Sequence, residues 1–243
     1  AKVCLVDFDL QAPMDMARML DFSPTKSISD IAVLLKSGAK DWEIDRFVLK
    51  HSCGVEFLPG CLKATQSSYI DEHAITQALS RLESKYDYVI VDAGRAFTDA
   101  LISVLSFANL ILLVVTPDIL SIYQTKWALD VLQSLNFPLK MVKFILNRSE
   151  SLGGFDWHEI KSNLPAEILV QIPSEGKAVG LSVNRRVPVV IDSPKCRASL
   201  AITKLSQGII NRKDELFLER IELHELKVNK HQVITRPQDF WRD

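Results

Sequence analysis

Residues Lys2–Gln11 read KVCLVDFDLQ. Val3–Val6 is an apolar run without polar alternation, the pattern of a parallel strand covered on both faces. It delivers two aspartates, Asp7 and Asp9, into a polar loop. Two residues apart on an extended backbone, they leave the chain on the same side and can converge on one ligand. Runs of the same character recur at Val55–Leu58, Tyr88–Val91, Leu110–Val115, Met141–Leu146 and Ile168–Ile172. Between them lie helical patterns at Met14–Leu20, Ile28–Lys36, Glu72–Ser84, Asp99–Phe107, Ile122–Leu135, Trp157–Asn163 and Ala198–Ile210. This alternation predicts an α/β fold, a three-layer, doubly wound, mostly parallel sheet. Ligands of such sheets gather at the carboxyl ends of the strands, so chemistry is sought there.

The bulk properties narrow the field. The chain has 243 residues, 47% hydrophobic and 24% charged, enough to bury a core without cross-links. A net charge of −1 gives no basic field to attract nucleic acid or anionic lipid. Cys4, Cys53, Cys61 and Cys196 are scattered without C-x-x-C spacing, as suits a reducing cytoplasm. The longest apolar run, Leu110–Val115, is strand-length and too short to span a bilayer. The organisation expected is one domain over residues 1–210, then a charged helix and tail over residues 211–243. A first residue Ala1 only two positions before a strand, without a basic leader, predicts that the natural N-terminus lies upstream.

Four strand ends carry candidate groups. Asp92 follows Tyr88–Val91 and precedes Ala93 and Gly94, the form of a Walker B aspartate that holds Mg²⁺ directly or through water beside phosphates. Gly94 lets the backbone approach the phosphate end. Asp9 could orient a water for in-line attack, while Asp7 suits a loop hydrogen bond or a helix cap. Asn147, with Arg148 after it, offers a donor and an acceptor to a purine edge, and is equally an ordinary turn residue. Pro173 and Glu175 lie in the loop after the last strand, where a base could rest. Other chemistries lack their patterns. The five histidines are dispersed, and no G-x-S-x-G elbow is present. Arg185, Arg186, Lys195 and Arg197 could form a small basic patch, for which a solvated face is the simpler reading.

Taken in order, these strand ends resemble the MinD/ParA superfamily of deviant Walker ATPases, and within it the CpaE/TadZ pilus-assembly branch. VCLVDFDLQ resembles the switch I strand, GVEFLPG the short second strand, and YDYVIVDAGRAFTDALISVLSFANLILLVVTPDILSI the Walker B, switch II and following strand. FILNRSESLGGFDWHEIKSNLPAEILVQIPSEGKAVGLSVNRRVPVV matches the remainder, so the likeness spans about residues 2–207. DAGRAF departs from the leucine-proline wording usual after the Walker B aspartate. The resemblance implies an ATP- and Mg²⁺-dependent homodimer that hydrolyses ATP and marks a position for pilus or secretion-system assembly proteins. Such a protein would be cytoplasmic, or peripheral at the inner membrane or cell pole through its partners. Asp9 would position the attacking water, Asp92 would organise Mg²⁺, Asp7 would support switch I, and Asn147 would read adenine with Pro173 and Glu175 nearby. The glycine-rich loop G-x-x-x-x-G-K-[ST] occurs nowhere in the chain, and Gly153-Gly154 lacks a Lys-Ser/Thr after it. The chain by itself is therefore expected to bind ATP poorly. The alternatives are a localisation scaffold without turnover and a ParA-type DNA-partitioning ATPase, the latter disfavoured by the charge.

Overall fold

The first strand, β1 (Val3–Asp7), owes its place to Cys4 and Val6, both fully shielded from solvent. The structure is a computed structural model that describes residues 1–94, 96–151, 154, 155, 158, 160 and 164–220. The expected helix over Trp157–Asn163 falls largely outside those residues, as do Gly153 and the tail from residue 221 onward. By its contacts the chain divides into two compact units, Ala1–Phe107 with Gly176–Ser199, and Ala108–Glu175 with Leu200–Asp243.

In the first unit, β1 lies between β3 (Glu56–Leu58) and β4 (Tyr88–Asp92), parallel to both, and β2 (Leu49–Lys50) adds an antiparallel edge beside β3. The alternation of side chains assigns one face of β1 to Cys4 and Val6. Onto that face pack Ile28 and Ile31 of α2 (Ile28–Lys36), Ile75, Ala78, Leu79 and Leu82 of α3 (Glu72–Glu83), and Val104 of α4 (Asp99–Leu105). The i, i+3, i+4, i+7 spacing of the α3 residues is a helix stripe turned inward. On the opposite face Phe57 stacks on Phe22, ring centroids 5.6 Å apart. Phe22 follows the short α1 (Asp15–Met19).

The start of α2 shows why the chain folds back here. The Asp30 carboxylate accepts from the Ser27 amide at 2.8 Å and the Ser27 hydroxyl at 2.9 Å. Two further amides of that first turn, Ile28 and Ser29, donate to the carbonyls of Pro59 and Gly60. The orphan donors of the helix are thereby spent on the end of β3. The outer edge of β4 carries no partner strand among the described residues, and its Ile90 is 55% exposed.

In the second unit β5 (Ile111–Val115), β6 (Val142–Asn147) and β7 (Ile168–Ile172) form a parallel sheet in that order. Phe144 and Leu146 are its buried centre. Asp118 caps α5 (Ile119–Ser134) by accepting from the Ser121 amide at 2.9 Å. Arg212 grips Glu167 through two bonds, 2.8 and 3.1 Å. That pairing, ahead of the cost of burial, holds the Glu167 carboxyl below its ordinary range. Among the described residues the further α-helices are α6 (Gly176–Asn184) and α7 (Val189–Asp192), which belong to the first unit, and α8 (Arg197–Asn211) and α9 (Lys213–Leu216). The parallel α/β architecture is the one expected. Among the described residues, however, the strands pair as two sheets of four and three, and β2, α6 and α7 are additions to the elements read from the sequence.

Candidate functional site

The tips of β1 and β4 meet. The two strands run in register from Val3 against Tyr88 to Asp7 against Asp92. The pairing continues one step further, where the Phe8 amide donates to the Asp92 carbonyl at 2.8 Å. Two carboxylates are thus brought side by side by backbone geometry alone.

Each acidic residue then turns the chain in the same way. Asp7 Oδ1 accepts from the Asp9 amide at 3.1 Å, Asp9 Oδ1 from the Gln11 amide at 3.2 Å, and Asp92 Oδ1 from the Gly94 amide at 3.2 Å. These are Asx turns, in which a carboxylate imitates a backbone carbonyl two residues on. The second turn folds Asp9 against Gly94. A Cβ at Gly94 would stand 3.1 Å from Asp9 Oδ1 and 3.3 Å from Asp9 Cα, and the residue has φ +65°. Glycine is therefore required there twice, for its dihedral and for its lack of side chain.

Asp7 is only 5% exposed. Burial, followed by the negative charges of Asp92, Asp9 and Asp15 and against the amide bond from Asp9, raises its carboxyl from 3.8 to about 6. A site that resists a further negative charge is one that a hard cation would relieve. Its donors are carboxylate oxygens, the kind that Mg²⁺ accepts, and Mg²⁺ keeps several waters, so one or two carboxylates suffice. No cluster of three or more His, Cys, Asp or Glu side chains that could hold a metal occurs among the described residues. A magnesium ion here would thus complete its shell from water and ligand oxygens, with Asp92 as the protein's contribution.

Beside this centre a cavity of about 450 Å³ opens, lined by Phe8, Asp9, Gln11, Ser67, Gly94 and Thr98 among others. That volume lies in the range of small-molecule sites. Sequence reasoning missed Gly60, whose hypothetical Cβ would stand 2.3 Å from the Asp7 carbonyl oxygen. It also missed Asp15 as a charge neighbour and Ser67 and Thr98 as wall residues. Their contacts are between distant segments and leave no local signal.

Within the second unit, Asn147 closes β6 in register with Ile172, the last residue of β7, so Asn147 and Pro173 lie at adjacent strand ends. Asn147 Oδ1 accepts from the Arg148 amide at 3.0 Å, and Arg148 has φ +53°. The Ser149 amide donates to the Ile172 carbonyl at 3.0 Å, tying the loop after β6 to the end of β7. Pro117, past the end of β5, accepts through its carbonyl from Phe155 at 3.0 Å and touches Gly154, where a Cβ would approach that oxygen to 2.6 Å. Glu175 lies two residues beyond Pro173. Asn147, Pro173 and Glu175 thus lie at or just past the ends of β6 and β7, with Asn147 Oδ1 turned to its own backbone.

Two of the four cations that could form a basic patch are paired with acids. Arg185 pairs with Asp192 at 3.1 Å and Arg186 with Asp21 at 3.0 Å. Among the described residues no helix is long and apolar enough to cross a membrane.

Parallel strands joined through helices, with aspartates at the tips of β1 and β4, define the class as an α/β fold. The chain superposes on the septum site-determining protein MinD complexed with Mg-ADP from Pyrococcus horikoshii, with a TM-score of 0.73 and 19% identity over 88% of this chain and 85% of that one. In sequence it is 25% identical over 233 residues to a ParA family protein of Chlamydia muridarum, covering 86% of each. It is 27% identical over 242 residues to the iron-sulfur cluster carrier protein of Helicobacter pylori, covering 94% of this chain but only 62% of that protein's length. No family model matches. The fold is that of MinD, and the sequence similarity includes ParA proteins.

Proposed function

We propose that this chain carries the magnesium and switch portion of a MinD/ParA-type ATPase, and that it acts as a nucleotide-dependent homodimer of the CpaE/TadZ kind in pilus or secretion-system assembly. The observation that carries the reading is the in-register meeting of Asp7 and Asp92 with Asp9 folded onto Gly94. Asp92 would hold Mg²⁺, Asp9 would orient the attacking water, and Asp7 would keep the switch I loop in shape through its bond to the Asp9 amide. Magnesium supplies charge neutralisation for the transferring phosphoryl group. Asn147, with Pro173 and Glu175, would offer a purine its hydrogen-bonding edge.

The phosphate cradle of this proposal is a lysine-bearing glycine loop, absent from these 243 residues, entering on a further parallel strand. The open edge of β4, with Ile90 turned to solvent, has the geometry to accept one. ATP bound between two subunits would favour the dimer by mass action, and hydrolysis would release it.

The test is Mg-ATP hydrolysis and ATP-dependent dimerisation by the protein as its gene encodes it. Asp9→Asn is expected to lower kcat by about 10²-fold, the usual scale for a group that handles the attacking water, while the ATP-dependent dimer persists. Asp92→Asn is expected to raise the Mg²⁺ concentration needed for half-maximal rate. Unchanged turnover in both variants removes the assignment. Micromolar binding of Mg-ATP by residues 1–243 alone would refute the separate cradle.

A further inference from the structure

Away from the acidic tips, the turn between β2 and β3 places an imidazole against a thiol. His51 Nδ1 lies 2.8 Å from Cys53 Sγ. The turn is held by its own backbone, the Gly54 amide donating to the His51 carbonyl at 2.9 Å and the His51 amide to the Val55 carbonyl at 2.9 Å. Gly54, at φ +92° with nothing within 4 Å of its would-be Cβ, closes it. The imidazole also meets the Phe22 ring in a T-shaped contact, centroids 5.7 Å apart and planes 81° from parallel. Phe22 in turn stacks on Phe57 of β3, so the ring is anchored in the sheet.

The polarity of the pair follows from a third contact. The Cys53 amide donates to the same Nδ1 at 3.2 Å. An N–H can point only at a lone pair, so in the neutral ring Nδ1 is the acceptor and the proton sits on Nε2. The thiol therefore faces a base. The other cysteines differ. Cys4 is fully buried, and burial pushes its thiol up to about 12. Cys61 is 3% exposed and is raised by burial as well. Cys196 lies 3.2 Å from the Ser199 hydroxyl and accepts from the Ser199 amide. Cys53 is exposed.

We propose that Cys53, with His51 as its base, is a modification site for low-molecular-weight disulfides. His51 Nδ1 takes the thiol proton, and the Cys53 thiolate attacks one sulfur of R′S–SR′. A Cys53–S–SR′ bond forms as the S–S bond of the reagent breaks, and R′S⁻ leaves and takes up the proton as R′SH. One thiol and one disulfide enter, and one of each leaves, without any other oxidant.

The probe is 4,4′-dithiodipyridine at pH 7 on residues 1–243, with the released thiopyridone read by absorbance and the adduct located by peptide mass spectrometry. One fast equivalent is expected, at Cys53, reacting about tenfold faster than the same cysteine in the urea-unfolded chain, as activated thiols do. Cys53→Ser should remove the fast phase. His51→Gln should slow Cys53 to the unfolded-chain rate while Cys4 and Cys61 stay protected, which shows the fold intact. A fast phase that maps elsewhere, a Cys53 no faster folded than unfolded, or a His51→Gln chain that reacts at the parent rate each overturns the proposal. The folded-against-unfolded comparison needs no variant, so it decides the matter even if His51→Gln misfolds.

Discussion

Gly94→Ala isolates the contact on which the candidate site depends. Two costs are built into the position. At φ +65° an alanine adopts the left-handed region, for about 1 kcal/mol or somewhat more. Its methyl would also stand 3.1 Å from Asp9 Oδ1, 3.2 Å from Cγ and 3.3 Å from Cα. The carboxylate could swing aside but the Cα could not without moving the loop, and forced overpacking of this kind costs roughly 1–3 kcal/mol. Gly38 supplies the control, since it has φ +83° and nothing within 4 Å, so Gly38→Ala carries the dihedral cost alone. In urea unfolding followed by circular dichroism, Gly94→Ala is expected to lose about 2–4 kcal/mol and Gly38→Ala about 1 kcal/mol, at unchanged m. The difference is the Asp9 contact. Equal losses for the two variants would mean that Asp9 does not rest on Gly94, and the switch I and Walker B assignments would lose their common geometry.

Other outcomes follow from the same structure. Asp7 titrates at about 6 when folded against 3.8 when free, so between those values the folded state holds the extra proton, and stability falls as pH rises from about 4 to 6. Asp7→Asn keeps an acceptor for the Asp9 amide and is expected to stabilise the chain by about 1–3 kcal/mol at pH 7, a gain that fades by pH 4 in urea titrations; a gain independent of pH would contradict the charge origin. Gly60→Ala must displace the Asp7 carbonyl, 2.3 Å from the new methyl, and is expected to lower the urea midpoint by the equivalent of about 2–3 kcal/mol. Trp42 buries an indole N–H that has no partner among the described residues, while Arg81 lies 4.0 Å over its ring. Trp42→Phe is therefore expected to cost less than about 1.5 kcal/mol, because the smaller ring relieves an unsatisfied donor, and a loss above about 3 kcal/mol would show that the N–H is bonded.

The elements with strong local codes were legible from the residues. The apolar runs ending in Asp7 and Asp92 became β1 and β4, each one residue longer than the run, because the aspartates still pair across the sheet. Ser27 and Asp30, a serine followed three residues on by an acid ahead of an apolar run, have the residue types of a helix cap and act as one. The misses have physical reasons. The helix expected from Ile122 starts at Ile119, because Ile119 and Leu120 are 48% and 61% exposed and the inward stripe begins only afterwards. The expected start at Met14 fails because Met14 has φ +74°, which no side-chain pattern announces. β2 is two residues long, below the length at which alternation can be seen. At the site, the residue types were visible and their spacing was not. Asp7 against Asp92 is a register, and Gly60 against the Asp7 carbonyl is a contact between segments some fifty positions apart in a sequence that carries no trace of it.

The three aspartates of the site share a constraint that governs how they can be tested. Each spends Oδ1 on the amide two residues ahead, at 3.1, 3.2 and 3.2 Å, and so shapes the loop that carries the next functional group. Asp7 positions Asp9, Asp9 positions Gln11 on the cavity wall, and Asp92 positions Gly94, onto which Asp9 folds. The second oxygen is what remains for a cation or a water. Alanine would remove both oxygens together, and a loss of activity would then report a reshaped loop as readily as a lost ligand. Asparagine keeps the Oδ1 acceptor and removes the charge. If the second oxygen works as argued, Asp9→Asn and Asp92→Asn will retain the stability of the parent at pH 7 within about 1 kcal/mol while Mg²⁺-dependent turnover falls. Asp9→Ala and Asp92→Ala will in addition lower the urea midpoint, by the loss of a hydrogen bond each. Should the asparagine variants lose as much stability as the alanine variants, the carboxylate charge itself would be holding the loops, and the division of labour between the two oxygens would be wrong.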